Sequence, residues 1–290
     1  MSILFTIIRN GNDFSCRAAD QLQFFVGRRV PYEGNIGLYN IFSGSRLTRL
    51  IYEAANFKDK FGFWASFIEP TAICEGRNFL TLNSYDRAAF TFGFGQFAAH
   101  VPNGDFVRYF RAMLGLPGAN EYFPHLGLID ERICRTENPD APVVLETDES
   151  TDKLMKYLNP DLSEVQDAEV IAAAKLIHWT TNSVDAQAAQ VNQMIATFRS
   201  LMRRAENRVG IDGRPAAQCA VIADILHQGR AGRMTWPLID SALRSPNPLD
   251  RLLKIGLPKW EERLRTLRRA LAARPEFQVK RWSSAHEEFV

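Results

Sequence analysis

From Ser163 almost to its end the chain repeats one pattern: apolar residues recur at helical spacing, and glycine or proline stops each run. The spacing predicts helices over Glu164–Thr180, Ser183–Asn207, Pro215–Gln228, Trp236–Leu243, Pro248–Lys254 and Trp260–Ala273, punctuated by Gly210, Gly213, Gly229, Gly232 and Pro246. Such a succession restricts the fold to a mostly helical architecture, with any sheet drawn from the residues before it. A chain of 290 residues can bury a sizeable core as one large domain or two small ones.

The residues before Ser163 read differently. Residues 3–8 are β-prone and end at the turn signal Asn10-Gly11-Asn12-Asp13, so a strand or a capping arm is expected. Residues 17–42 are rich in Phe, Tyr and Gly, and Pro31 and Gly34 argue against a long helix. Leu47, Leu50, Ile51 and Ala54 predict a helix over Arg46–Phe57, and Pro70 marks the start of a short one from about Glu69 to Glu75. Asp105 caps a helix with the apolar face Phe106, Tyr109, Phe110, Met113 and Leu114. Residues 119–150 read as an irregular insertion in which 129–136 and 143–147 pair across 137–142, followed by a short helix Asp152–Leu158. The composition breaks sharply nowhere. The expectation is therefore one α+β, mostly α unit over 1–290, with an N-terminal extension (1–42), the insertion (119–150) and a helical C-terminal part (163–290). Its sheet is small, antiparallel and placed near 79–97 beside the helical lobe.

The segment Cys74–His100, CEGRNFLTLNSYDRAAFTFGFGQFAAH, concentrates the chemistry. Cleaving a glycosidic bond requires a carboxylic acid that protonates the leaving oxygen and a second polar group on the opposite face. Glu75, at a helix C-terminus before Gly76, is placed as that proton donor. Asp86 and the Thr91 hydroxyl follow on a hairpin. On a strand, Gly93 and Gly95 share one face and leave room for a sugar ring to approach the backbone.

Glu75-Gly76, then Tyr85-Asp86, then Thr91-x-Gly93-x-Gly95-Gln96-Phe97 resembles the phage-type lysozymes, whose pattern is Glu-Gly, Tyr-x-Asp, Thr-x-Gly-x-Gly-His-Leu. Here Tyr directly abuts Asp, the interval from Glu to Asp is longer, and Gln96 stands in place of His. Gly-x-Gly-Gln also resembles the Gly-Leu-Met-Gln segment of goose-type lysozymes and lytic transglycosylases. The resemblance implies a lysozyme-like fold and a glycoside hydrolase that cuts the β-1,4 glycan backbone of peptidoglycan. Glu75 would be its general acid, Asp86 its second carboxylate, and Thr91 the hydroxyl that helps to place water. Tyr85, Gly93, Gln96 and His100 would contact substrate, as would Gln228, at the end of a distal helix that also carries Asp224 and His227. Three alternatives stay open: a chitosanase, a lytic transglycosylase, and a non-catalytic peptidoglycan-binding or phage structural protein.

Other chemistries lack their signatures. The five histidines form no His-x-x-x-His or His-x-His pair, so no metal and no cofactor is expected, and neither a Gly-x-Ser-x-Gly elbow nor a P-loop occurs. Cys16, Cys74, Cys134 and Cys219 are scattered and read as reduced, mostly buried thiols. Charge is uneven: residues 1–198 carry 17 Lys and Arg against 23 Asp and Glu, whereas 199–290 carry 18 against 10. A basic C-terminal third suits an acidic polymer, or is an arginine-rich solvated surface. The start MSILFTIIRNGNDF has no basic n-region or small-residue cleavage site, and no run approaches a membrane span. The expectation is cytoplasmic synthesis, with delivery machinery or lysis taking the protein to its wall polymer, an immunity protein as a further partner, and no nucleic acid.

Overall fold

Turn chemistry organises the beginning of the chain. In the computed structural model, which describes residues 2–19, 21–138 and 140–290, β1 (Phe5–Asn10) and β2 (Asp13–Ala18) pair from Phe5↔Ala18 to Asn10↔Asp13. Only Gly11 and Asn12 make the turn. β3 (Phe24–Tyr32) and β4 (Asn35–Tyr39) close in the same way at Tyr32↔Asn35, with Glu33 at φ 48° and Gly34 at φ 87°. Positive φ at both turn residues matches the twist of the flanking strands. β5 (Leu82–Asn83), β6 (Thr91–Phe92) and β7 (Phe97–Ala98) extend the antiparallel meander to seven strands in sequence order. The extension expected at 1–42 is thus the larger part of the sheet, and the sheet expected near 79–97 is its short-stranded end. The strand signal is masked because β3 contains Gly27 and ends near Pro31, which sits beside the hairpin turn.

The chain is α+β and mostly helical. Expected as one unit, it divides into two compact units, Met1–Ile51 with Asn78–Gln193, and Tyr52–Arg77 with Met194–Val290.

In the first unit the helix Asp167–Asn182 packs across β1, β2 and β3. Its Trp179 stacks on Tyr122 at 4.8 Å, and the His178 ring is bridged by the Tyr122 hydroxyl at 2.9 Å and Gln21 at 2.7 Å. Both are core residues. A second core forms around Phe90, Phe92, Phe94 and Phe97 from the sheet end and Phe106, Tyr109 and Phe110 from the helix Asp105–Leu114, all fully buried. The 119–150 region is more regular than expected: β8 (Leu126–Ile129), β9 (Arg132–Arg135) and β10 (Val143–Val144) form a sheet in the order β10-β9-β8. The expected pairing is present at Val143↔Arg135 and Val144↔Cys134. The stretch 129–136, however, is folded back on 126–129 through Asp130 and Glu131, both at positive φ. Pro139, within the expected connection 137–142, lies outside the described residues.

The second unit carries the helices Phe63–Cys74, Ala216–Gln228, Thr235–Leu243, Pro248–Leu252 and Glu261–Ala272, and the hairpin β11 (Trp282–Ser283) with β12 (Glu288–Phe289). The last four of these helices fall close to the expected spans, as does Asp152–Leu158 in the first unit. The division between the units falls within the helix Val184–Val209. Two expectations fail. The helix thought to start at Glu69 starts at Phe63 and runs through Pro70. It is buried on all sides, from Trp64 to Ala72, so packing offsets the hydrogen bond that proline removes. Residues 46–53 form no helix. Their backbone is used in an antiparallel bridge instead: Phe79 N–H donates to Leu50 at 2.9 Å and Tyr52 N–H to Arg77 at 2.8 Å, leaving a 3-10 turn at Ala54–Phe57. Among the described residues no helix is long and apolar enough to cross a membrane.

Candidate functional site

Glu75 is the C-cap of the helix Phe63–Cys74, and the turn behind it is a complete Schellman motif. Gly76 at φ 86° donates to Ile73, and Arg77 donates to Ala72 at 2.9 Å. This fixes where the Glu75 side chain leaves the backbone. Its Oε1 accepts from Arg263 Nη1 at 2.7 Å, and among the described residues no hydrogen bond engages Oε2. The side chain is 20% exposed.

Arg263 is itself built in. Its Nη2 and Nε donate to the two oxygens of Asp224 at 2.7 and 3.3 Å, and Asp224 also accepts from Arg230 Nη1 at 2.5 Å. The Asp224 and Arg230 side chains are wholly buried. Burial pushes the Asp224 carboxyl up, yet the hydrogen bonds and charge of Arg263, with the charge of Arg230, more than reverse this and hold it below the usual carboxylate range. The guanidinium groups of Arg263 and Arg230 and the carboxyl groups of Asp224 and Glu75 thus share one cluster, with Glu75 as its partly exposed end. The forked guanidinium of Arg263 suits this double duty. Beside it lies a cavity of about 310 Å³ walled by Trp260, Cys74, Lys259, Glu262 and Arg263. That is the size of pocket that takes a small ligand. Burial, with the charge of Asp224 next, pushes the Cys74 thiol up to about 12, which leaves it unreactive.

Gln228 belongs to the same unit, at the end of Ala216–Gln228, and its buried Oε1 has no hydrogen-bond partner. Asp224, taken with it as part of a polar helix end, is instead fully interior.

Tyr85, Asp86, Thr91, Gly93, Gln96 and His100 lie in the first unit, around the end of the sheet. Asp86 Oδ1 accepts from Ala88 N–H at 2.9 Å, and Oδ2 from Asn83 Nδ2 at 3.2 Å. Its carboxylate therefore closes an Asx-type turn. Thr91 pairs with Asn83 in the sheet and is only 6% exposed. Burial and the charge of Arg87 hold the His100 imidazole below its ordinary range, against the opposite pull of Asp86, and its Nδ1 is buried without a partner. Tyr85 is flanked by Tyr32 at 5.1 Å and Tyr39 at 5.8 Å between ring centroids. These two aromatics come from the stretch read as an extension, and nothing local to Tyr85 announces them.

The glycine floor is a correction. Gly93 does adopt φ 87°, but a Cβ there would meet Gln190 Oε1 at 2.4 Å. Gln190 accepts from Phe94 N–H and donates to the Phe79 carbonyl at 3.0 Å. The space left by the missing side chain is filled by protein, not open to a sugar. Gln96, at φ 54°, is a half-buried turn residue whose N–H donates to Gly93.

Ser84 reveals a carboxyl group that sequence reasoning passes over. Glu169, fully buried, receives the Ser84 hydroxyl and Leu38 N–H on Oε1, while among the described residues no hydrogen bond satisfies Oε2. Burial pushes its carboxyl up to about 7. No protein-family model, no curated protein and no solved structure matches this chain.

Proposed function

We propose that this protein is a glycoside hydrolase acting on the β-1,4 glycan backbone of peptidoglycan, with Glu75 as the group that protonates the glycosidic oxygen. The observation that carries the reading is the investment in one carboxylate. A partly exposed Glu75 is pinned through Oε1 by an arginine that a buried Asp224–Arg230 pair holds in place, and Oε2 is left unengaged. Positioning of a reactive group by a locked supporting shell is what catalysis by orientation requires. The neighbouring cavity, with its Trp260 wall, offers an apolar face to a sugar ring. The unit that carries Glu75 has 21 Lys and Arg against 14 Asp and Glu. That balance disfavours a polycationic substrate such as chitosan.

One observation favours a variant of this reading. Both carboxylate oxygens of Asp86 are engaged in its turn, so a reaction that needs no second carboxylate, the lytic transglycosylase outcome with anhydro product ends, fits better than water activation by Asp86. The test is release of soluble muropeptides from purified peptidoglycan by the wild type and Glu75→Gln, with product ends read by mass spectrometry. The expected result is release by the wild type and its loss in the variant. Equal release by both proteins, or none by a folded wild type, would overturn the proposal.

A further inference from the structure

A cavity of about 520 Å³ lies in the second unit between the helices Thr235–Leu243 and Pro248–Leu252 and the turn that follows, away from Glu75 in its lining residues. It is lined by Ser241, Ser245, Arg251 and Lys254, with Leu238, Ile255 and Leu257 as its apolar part. Its chemistry differs from that of the unit's other cavities. Those mix acids with bases: Arg203 with Glu206 and Glu287, Arg274 with Glu69 and Glu276, and Arg263 with Glu262. Among the described residues no carboxylate lines this one.

The cations are also uncommitted. Nearby arginines are paired, Arg244 with Asp240 and Arg268 with Asp250. Among the described residues Arg251 and Lys254 form no ion pair and no side-chain hydrogen bond. They are three residues apart, and Lys254 N–H donates to the Arg251 carbonyl at 3.1 Å, so the two side chains start one turn apart. Ser245 donates its hydroxyl to the Ala242 carbonyl at 2.7 Å, while among the described residues no hydrogen bond engages the Ser241 hydroxyl. Two exposed like charges with no counter-ion repel each other unless an anion joins them.

We propose that this groove binds a phosphate ester. A carboxylate carries one negative charge, whereas a phosphate monoester carries close to two at neutral pH and presents several oxygens. The forked Arg251 guanidinium, the Lys254 ammonium and the Ser241 hydroxyl meet that demand. Leu238 and Leu257, 40% and 48% exposed, give the organic part of the ester an apolar surface. The volume is larger than a free phosphate ion needs. The proposal does not rest on the Glu75 reading, and its failure would leave that reading untouched.

The experiment is isothermal titration of the full chain with glycerol 3-phosphate, inorganic phosphate and glycerol at two salt concentrations, followed by sedimentation with phosphatidylglycerol vesicles. Wild type is expected to bind glycerol 3-phosphate, and to bind it at least tenfold more tightly than the Arg251→Gln, Lys254→Gln double variant. A charge-matched control, Arg208→Gln with Arg269→Gln, should bind like wild type. Vesicle binding lost with the groove variant would identify a lipid phosphodiester as the source, and its absence beside glycerol 3-phosphate binding a soluble ester. Inorganic phosphate binding as tight as the ester, equal affinity in the groove variant, or no binding to any phosphate would overturn the assignment.

Discussion

Glu169 in the first unit and Asp224 in the second are both buried completely, and their partners differ in kind. Glu169 has a hydroxyl, a backbone N–H and, among the described residues, no counter-ion, and burial pushes it up to about 7. Asp224 in the second is equally hidden, but Arg263 and Arg230 hold it ionised and below the usual range. Burial alone does not set the protonation state of a carboxyl group; the partners buried with it do. The first arrangement stores a proton in the core, and the second a fixed charge that can orient Glu75.

The strongest way to break this comparison is Arg263→Ala. The change leaves Asp224 with one guanidinium and Glu75 with none, and removing one partner of a buried ion pair costs about 3–5 kcal/mol. Urea unfolding followed by tryptophan fluorescence reports on it, because Trp64, Trp236, Trp260 and Trp282 lie in the second unit and only Trp179 in the first. A loss below about 1 kcal/mol would mean that the cluster is not built as a unit. Lys at position 263 should recover only part of the loss, since an ammonium cannot reach both carboxylates as a fork does.

The next largest effect is a pH dependence of opposite sign in the two units. The folded-state value of Glu169 is raised, so its contribution is fully present below its ordinary 4.5 and is lost as pH rises towards about 7. The swing is up to about 3 kcal/mol. Asp224 is lowered, so its contribution is present above the ordinary carboxylate range and is lost as pH falls through its folded-state value. Hydrogen exchange resolved by peptide should show the first unit loosening from pH 5 to 8 while the second does not. Glu169→Gln should flatten the first unit's profile. A profile unchanged by that substitution would show that Glu169 does not carry the proton.

The sequence made the second unit's helices legible because helical periodicity is local, as is the cap at Glu75-Gly76. The turn at Gly11 was equally readable, whereas Gly34 spoke only against a long helix. What stayed hidden depends on distant partners. Residues 46–53 have a helical apolar pattern, yet backbone bonding to residues 77–79 draws them into extended structure. Asp224 looks like a surface residue of a polar helix end until Arg263, 39 positions away, is placed against it. The lone acid within the apolar run Ala216–Ile225 was the one available signal, since a charge on a buried helix must find a counter-charge. Glu169 meets Ser84 across 85 positions. The site readings that changed, Gly93 above all, did so because a side chain from elsewhere occupies the space.

Two glycines sharpen the same point on a smaller scale. Gly76 and Gly93 have almost the same backbone, φ 86° and 87°, but nothing lies within 4 Å of a Cβ at Gly76. Gly76→Ala should therefore cost only the left-handed strain, about 1–2 kcal/mol. Gly93→Ala adds displacement of the Gln190 amide and its bonds to Phe94 and Phe79, a further ~1–3 kcal/mol. Matched denaturation curves measure the difference, and equal losses would show that Gln190 relaxes freely.

The smallest expected effect is that of Asp86→Asn. Asparagine keeps the oxygen that accepts from Ala88 N–H, so the turn survives and only the contact with Asn83 must readjust, at a cost of about 0.5–1 kcal/mol. If the Asp86 carboxylate is a turn closure and Glu75 the sole acid, glycan cleavage by the variant should stay within a few-fold of wild type, with anhydro product ends. A hundredfold fall in kcat with an intact fold would instead mean that Asp86 leaves its turn to act on water. It would also restore the two-carboxylate mechanism, in which a separation of about 6.5–9.5 Å favours inversion. Stability and product chemistry read on the same variant separate these outcomes, because the turn tolerates asparagine while general-base activation of water does not.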